Sequence, residues 1–296
     1  MYRVYNKDDK EIIYFLFDSI TELYDYLKEA ETSRSFSYTR CESMSTDYGW
    51  YGTPSLEKAL EFTKYGYKED YNTFINLRDE LDRYIKVDSG KSKQFNDYIG
   101  YVPDVKAYLE GNPLCMINRN KPARKQVDIY YNVAINGATS TKQIYNRGVI
   151  TLSLIELLEK KGFSVSLNVF DLSRCGNQIF YAVFNLKNTN ERANPYKLYF
   201  PLCHNSFERR IVFRLEEVAP DMSRSWTEGY GRPCDDYTIR KILELKDNDI
   251  VFPQPSEMGI TGDDIVEDTN RVFDYIKNYT HEKVELEHIK RLKKGK

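Results

Sequence analysis

The amino-acid sequence predicts an α/β fold, a sheet with helices packed on it, together with a mixed α+β N-terminal part. The main observation is a strand–loop–helix–strand pattern between residues 126 and 173. Val127–Ile135 is rich in β-branched and aromatic residues, Ile144–Lys161 has apolar residues at helical spacing, and Phe163–Phe170 alternates apolar with polar residues. A strand, a crossover helix and a second strand in this order define a βαβ unit, on which the predicted sheet is centred.

Residues 1–115 are predicted to form a mixed, helix-rich region. Ile12–Phe17 is a short apolar run that is typical of a strand, and Ser19 with Glu22 forms a capping box at the start of a helix. Helical spacing recurs between residues 56 and 85, and a short helix is expected near Asp104–Glu110.

Residues 116–281 are predicted to form the α/β domain, which begins with a polar, basic connector at Met116–Gln126. Within it, residues 207–218 have helical spacing, and residues 221–237 form an irregular excursion with Gly and Pro. Further strands are predicted at Ile179–Leu186, Tyr196–Phe200 and Ile250–Phe252. Residues 282–296 are predicted to form a charged C-terminal helical tail.

The composition is that of a folded protein with no whole-molecule attraction for nucleic acid. Hydrophobic residues make up 41% of the chain, with 25 Tyr and 15 Phe, and the net charge is −2. The five cysteines are widely scattered, the longest apolar run is too short to cross a bilayer, and Met1–Arg3 leads into charged residues rather than a signal peptide. We therefore expect a cytoplasmic protein with free thiols, no membrane contact and nucleic acid unlikely as a direct ligand.

The loop after the first strand of the βαβ unit lies where α/β proteins usually bind ligands. In a von Willebrand factor A-like module this loop would carry the metal motif Asp-x-Ser-x-Ser, but the aligned residues here are Asn136, Ala138 and Ser140. Asn and Ala remove a charge and an oxygen from a hard-cation site. Only Gly137 represents the glycines of a phosphate-binding loop. These departures favour a structural turn over a ligand site.

Two further motifs suggest chemistry without the expected context. Cys203, His204 and Cys234 include zinc-ligand residue types, but they lack the paired spacing of structural zinc sites, so no metal is expected. Pro220-Asp221 followed by Glu244-Leu245-Lys246 matches the PD…ExK pattern of metal-dependent nucleases, in which two carboxylates hold the metal and the lysine assists the attacking water. The spacing around Glu244 is helical, whereas the nuclease pattern requires adjoining strands.

Surface recognition is the remaining possibility. Trp226, Tyr230 and Arg232 lie in the irregular excursion and are candidates for a partner contact, because Trp, Tyr and Arg are enriched in interfaces. The alternative for the two aromatic residues is that they close over the core of the domain itself. Short basic segments at Arg119–Lys125 and in the C-terminal tail lack an aromatic platform for nucleic acid.

Three groups of segments together resemble a phage-encoded family, the inhibitors of the bacterial Gabija anti-phage defence system. The first group is Trp50-Tyr51-Gly52-Thr53 with Ser55, Glu57, Ala59 and Leu60. The second is Arg147-Gly148 with Leu157-Leu158-Glu159 and Gly162, and the third is Phe207, Arg209-Arg210 and Phe213.

The resemblance implies a non-enzymatic inhibitor with no catalytic residue, cofactor or metal. Such a protein is expected to form a homo-oligomer around the host nuclease–helicase complex and to block DNA binding or cleavage. A metal-dependent nuclease using Asp221, Glu244 and Lys246, or a von Willebrand factor A-like module using Asn136 and Ser140, would be the alternatives.

Overall fold

The structure is a computed structural model that describes residues 1–33, 41, 48–68, 71–81, 85–86, 93–120, 126–160, 162–246, 249–277 and 285–286. The strands are β1 (Tyr2–Lys7), β2 (Lys10–Phe17), β3 (Ile85–Lys86), β4 (Lys93–Asp97), β5 (Val102–Pro103), β6 (Met116–Asn120), β7 (Gln126–Asn132), β8 (Ser164–Cys175), β9 (Gln178–Lys187), β10 (Arg232–Pro233), β11 (Ile250–Phe252) and β12 (Glu285–Leu286).

The α-helices are α1 (Ile20–Glu29), α2 (Tyr48–Tyr51), α3 (Leu56–Tyr65), α4 (Tyr71–Leu81), α5 (Val105–Leu109), α6 (Thr141–Lys160), α7 (Pro195–Cys203), α8 (Phe213–Val218), α9 (Asp236–Leu243) and α10 (Ile265–Lys277). A π-helix at Phe207–Val212 leads into α8, and 3-10 helices lie at Arg224–Glu228 and Pro255–Met258.

The main sheet has the strand order β1-β2-β9-β8-β7-β11, with β10 paired to β8. β7 runs parallel to both β8 and β11, β2 runs parallel to β9, and β8 and β9 form an antiparallel hairpin. The helix α6 connects β7 to β8, so the predicted βαβ unit and the α/β fold class are both confirmed. The sheet is mixed because a hairpin follows the parallel crossover.

The two faces of the main sheet are covered to different extents. One face forms the large core, where α6 and α7 pack on residues such as Ile129, Val165 and Val169. A smaller cluster on the other face contains Phe170, Leu172, Val251 and residues of α9. This second face is only partly buried, which explains the alternation of apolar and polar residues along β8 and β9.

The helix α6 lies so close to α7 that one position on it must be glycine. A Cβ atom at Gly148 would overlap the backbone carbonyl of Leu202. The neighbouring Arg147 is 1% exposed and donates to the carbonyl oxygens of Asn132, the last residue of β7, and Pro253, which follows β11. The Arg147-Gly148 pair therefore fixes α6 against α7 and against the ends of two parallel strands.

One predicted strand is wrong. Residues 196–200 belong to the helix α7, which begins at Pro195 and buries every residue from Leu198 to Cys203. A short apolar run does not distinguish a buried strand from a buried helix segment, and Pro at the first helical position is a helix-start signal that favours the second.

The N-terminal strands belong to the main sheet. Residues 11–17 of β2 pair with residues 178–184 of β9, so the sheet crosses the predicted boundary between residues 115 and 116. The division into 1–115, 116–281 and 282–296 stays a prediction.

The strands β4, β6 and β5 form a separate antiparallel sheet, here called the small sheet, with α5 between β5 and β6.

Candidate functional site

The loop between β4 and β5 and the helix α5, both attached to the small sheet, carry a concentrated set of exposed apolar side chains. Among the described residues, nine large apolar or aromatic side chains are more than half exposed, and six of these lie between residues 98 and 109. We call these six the apolar surface: Tyr98, Ile99, Tyr101, Val105, Tyr108 and Leu109. A cluster of this kind is typical of an interaction site, because soluble proteins seldom expose contiguous large apolar side chains.

Local hydrogen bonds hold the apolar surface in shape. The Oδ1 atom of Asp104 accepts from the backbone N–H groups of Lys106 and Ala107 and so caps α5, while its Oδ2 accepts from Asn96 on β4 at 2.9 Å. These bonds hold the pKa of Asp104 below its usual range. At the other end of α5, the backbone N–H of Asn112 donates to the carbonyl oxygen of Ala107.

The small sheet has almost no core of its own. Across residues 95–118, Ala107 is the one buried side chain. Fully burying a side chain of the size of Leu or Phe contributes about 1.5–3 kcal/mol, and the small sheet leaves this contribution unused in the isolated chain. Residues 93–120 contain three acidic and three basic side chains, so they present no net charge to a partner.

A second feature is a pocket of about 500 Å³ at the carboxyl ends of β7 and β8. Residues 134–137 after β7, Ser173 near the end of β8, and the π-helix residues Glu208 and Arg209 contribute to its walls. Trp50 and residues 229–233 complete it. We call it the carboxyl-end pocket.

Three carboxyl groups, the acid cluster of Asp171, Glu208 and Glu216, lie beside this pocket. Their exposed fractions are 1%, 7% and 1%, and one oxygen of each has no hydrogen-bond donor among the described residues. Burial raises the pKa of Asp171 to about 7 and the pKa values of Glu208 and Glu216 well above their usual range. The side chains of Glu208 and Asp171 lie within hydrogen-bonding reach of each other, so the two carboxyl groups titrate as a coupled pair.

Glu217 is also a buried acid, but both of its carboxyl oxygens have hydrogen-bond donors. Its oxygens accept from the backbone N–H of Cys41 at 3.2 Å, from the thiol of Cys41 at 2.7 Å and from the hydroxyl of Tyr230. Arg214 lies 4.0 Å away. The oxygens of Glu217 therefore have donors within the chain, whereas each acid of the acid cluster has one oxygen without a donor among the described residues.

Two of the three groups of segments that carry the family resemblance pack against each other. The guanidinium of Arg209 lies over the Trp50 ring and donates to the Trp50 carbonyl oxygen at 2.6 Å, while Arg210 donates to the carbonyl oxygen of Thr53 at 2.9 Å. Gly52, which lies between Trp50 and Thr53 in the sequence, has a φ of +79°, and a Cβ atom at this position would overlap the side chain of Asn205. These residues fix the packing of the N-terminal segment on the π-helix.

The side chains of the predicted loop residues Asn136 and Ser140 form hydrogen bonds within the loop and with the start of α6. The side-chain oxygen of Asn136 accepts from the backbone N–H of Ala138 at 3.0 Å. Ser140 caps α6: its hydroxyl accepts from the backbone N–H of Gln143, whose side chain accepts from the backbone N–H of Ser140. This is the structural turn that the sequence favoured.

The nuclease residues do not form one site. Asp221 accepts from the hydroxyl of Tyr2, at one end of β1, whereas Glu244 pairs with Lys7, at the other end. Five residues of strand separate these anchors by roughly 17 Å, while one metal requires both carboxylates within about 2.6 Å. Glu244 also ends α9 in a left-handed conformation with φ of 54°, rather than lying on a strand, and Lys246 follows in the loop.

The partner residues proposed in the excursion need a correction. Trp226 is 0% exposed and its indole N–H donates to Gln178 at 3.0 Å. Tyr230 is 4% exposed and stacks on Phe213 with the ring centroids 4.1 Å apart. Both rings therefore close over the domain's own core, which was the alternative reading of the sequence. Arg232 is exposed and lies at the edge of the carboxyl-end pocket.

Within the described part of the chain, no group of three or more His, Cys, Asp or Glu residues is arranged to hold a metal ion. Cys203 and Cys234 are buried, and burial raises the pKa of the Cys234 thiol to about 12. Residues 121–125 of the basic connector and the basic residues of the C-terminal tail lie outside the described residues.

Sequence reasoning missed both the apolar surface and the acid cluster. Tyr98 and Tyr101 were part of a general tyrosine enrichment, but Ile99, Val105 and Leu109 look like core residues in a sequence. The signal for the acid cluster is present in Phe170-Asp171-Leu172, where a carboxyl group interrupts an apolar strand.

The fold and these sites define an α/β protein with an exposed apolar surface on a small accessory sheet. The chain belongs to the family described as Domain of unknown function (DUF7192), whose model matches residues 6–282. That match includes the small sheet as well as the main sheet. No curated protein and no solved structure is significantly similar to the chain. None of the helices described here has both the length and the apolar character that crossing a membrane requires.

Proposed function

We propose that this protein is a binding protein that acts through the apolar surface of its small sheet. The single observation that carries the proposal is the concentration of exposed apolar side chains at residues 98–109, in a region where Ala107 is the one buried side chain across residues 95–118. A neighbour that covered these residues would remove them from water and stabilise the small sheet.

The partner that fits is a protein rather than a nucleic acid. DNA binding depends on Lys and Arg side chains that neutralise phosphates, whereas residues 93–120 have balanced charges. Tyr98, Tyr101 and Tyr108 combine a large apolar ring with a polar tip, which is the composition of interface hot spots.

The resemblance described above suggests the particular partner. We infer that the protein is a phage-encoded anti-defence protein acting in the host cytoplasm, where it binds the nuclease–helicase complex of the Gabija system. Bound as a homo-oligomer over that complex, it would block DNA binding or cleavage sterically, without a catalytic residue, cofactor or metal of its own.

The test is size-exclusion chromatography of the protein with the reconstituted Gabija complex, combined with a DNA-cleavage assay. The wild-type chain should co-elute with the complex and inhibit cleavage. The combined substitutions Tyr98→Ser, Tyr101→Ser and Tyr108→Ser should weaken binding at least about 100-fold, because the three side chains are 53–70% exposed in the isolated chain and would be buried against the partner.

A matched control is available in the same chain. Tyr65, Tyr196 and Tyr237 are 69%, 39% and 76% exposed and lie outside the small sheet, so the three corresponding Ser substitutions should leave binding unchanged. Absence of co-elution for the wild type would exclude the proposed partner. Equal loss of binding in both triple variants would exclude the apolar surface as the contact. Light scattering of the protein alone shows whether a second copy also covers it.

A further inference from the structure

The carboxyl-end pocket has the size and position of a small-molecule site that is separate from the apolar surface. Its volume of about 500 Å³ lies within the roughly 300–1,000 Å³ typical of ligand pockets. It opens at the carboxyl ends of the parallel strands β7 and β8, where α/β sheets bind ligands because the loops there diverge. No residue of the small sheet contributes to its walls.

Aromatic side chains form one wall of the pocket. Trp50, Phe213 and Tyr230 line it, and the Phe213 and Tyr230 rings are stacked on each other, which fixes their orientation. A rigid wall of this kind accepts a planar ring at low entropic cost, because the protein side chains need no ordering when the ligand binds.

The backbone at two glycines of the lining is open to close approach. Neither Gly137 nor Gly229 has any neighbouring atom within 4 Å of the position that a Cβ would occupy, and both residues line the pocket. A ligand can therefore contact the peptide groups of these two loops directly.

Acidic, neutral polar and basic side chains all line the carboxyl-end pocket. Glu208 lines the pocket at 7% exposure and has a carboxyl oxygen with no donor among the described residues, and Ser173, also in the lining, donates to Asp171 at 2.9 Å. Arg232 is exposed on the same pocket, and Arg209 lies in its wall. The lining therefore suits a ligand that combines N–H donors with an anionic group.

We propose that the carboxyl-end pocket binds a mononucleotide, with the base against the aromatic wall, its exocyclic amino group donating to Glu208, and the phosphate at Arg232. A nucleotide unites the three properties that the lining calls for: a planar ring, an N–H donor on the ring edge and an anion at the other end.

The test is isothermal titration and thermal unfolding of the full chain with AMP, CMP and GMP, each compared with UMP, which has no exocyclic amino group, and with inorganic phosphate. At about 1 mM, at least one of the three amino-bearing nucleotides should raise the melting temperature, because a ligand that binds only the folded state stabilises it. UMP and phosphate should give smaller shifts.

Two variants locate the contacts. Arg232→Ala should weaken nucleotide binding about tenfold and leave binding of the corresponding nucleoside unchanged, since it removes only the phosphate contact. Arg224→Ala, at an exposed arginine outside the pocket lining, is the matched control and should have no effect. Glu208→Gln should reduce the preference for the amino-bearing bases over UMP. If Glu208→Gln does not fold, Arg232→Ala still tests the proposed phosphate contact.

The outcomes are distinct from those of the proposed function. No thermal shift with any nucleotide, or equal shifts with inorganic phosphate alone, would overturn the nucleotide site whatever happens with the Gabija complex. Loss of host-complex binding in the tyrosine variants would leave nucleotide binding intact, because none of those residues lines the pocket.

Discussion

The main sheet and the region of the small sheet differ in which side chains are buried and which are exposed. Around the main sheet, charged side chains are buried, including Arg147, Arg210 and Asp171, each at most 1% exposed. Beside the small sheet, in the β4–β5 loop and α5, apolar side chains such as Ile99 and Leu109 are 79% and 78% exposed. Buried charges require a fixed set of hydrogen bonds, whereas exposed apolar groups gain stability only when a neighbour covers them. The first region thus specifies the fold, and the second is available for binding.

The largest effect should come from the buried arginine that joins the ends of β7 and β11. Arg147→Ala would leave the carbonyl oxygens of Asn132 and Pro253 without their donor, so the free energy of unfolding should fall by about 3–5 kcal/mol. Arg3→Ala, at an exposed arginine on the edge strand β1, should change it by less than about 1 kcal/mol. Urea unfolding followed by circular dichroism measures both, and equal effects would contradict the comparison.

The acid cluster predicts that stability depends on pH. The folded state raises the pKa of Asp171 from 3.8 to about 7, so between these values it binds more protons than the unfolded chain. The free energy of unfolding should therefore fall as the pH rises from about 4 to about 7, by up to roughly 4 kcal/mol from this group.

Asp171→Asn removes that titration while preserving the shape of the side chain. The variant should show a flatter dependence of unfolding free energy on pH between 4 and 7, with a residual slope from Glu208 and Glu216, whose pKa values are also raised. Urea titrations at a series of pH values provide the measurement. Parallel curves for wild type and variant would show that Asp171 does not carry the raised pKa.

A smaller effect is expected where α6 approaches α7. Gly148→Ala places a methyl group against the carbonyl of Leu202 and should cost about 1–3 kcal/mol, despite the better helix propensity of Ala. Gly137→Ala, with no atom within 4 Å of the added methyl, should be nearly neutral. Thermal unfolding of both variants separates a packing effect from a general intolerance of Ala.

The smallest effect on stability is expected for substitutions in the apolar surface. Ile99→Ser and Leu109→Ser should each change the stability of the isolated chain by less than about 0.5 kcal/mol, because neither side chain is buried. The same substitutions made at buried Ile129 and Leu167 should cost several kcal/mol. A large loss at Ile99 or Leu109 would mean that the apolar surface packs within the chain.

The βαβ unit was predictable because its helix is long and because apolar residues repeat with a different period in its strands than in its helix. The sequence mispredicted residues 196–200, because a segment of five residues is too short to show a resolvable period. The apolar surface was not predictable, since Ile99 and Leu109 in an exposed position look the same in a sequence as Ile129 and Leu167 in the core. The packing role of Gly148 depends on the carbonyl of Leu202, more than fifty residues later, so no local pattern could reveal it.

The pairing of β2 with β9 also constrains how the chain folds during synthesis. Glu11 and Gln178, which face each other in this pair, are separated by 167 residues. At roughly 5–20 residues per second, the ribosome needs about 10–30 s to produce the second strand after the first. During that interval the apolar segment Ile12–Phe17 has no partner in β9 and has the β-propensity of an aggregation-prone stretch. Recovery of soluble protein should therefore depend on chaperone supply and on translation rate.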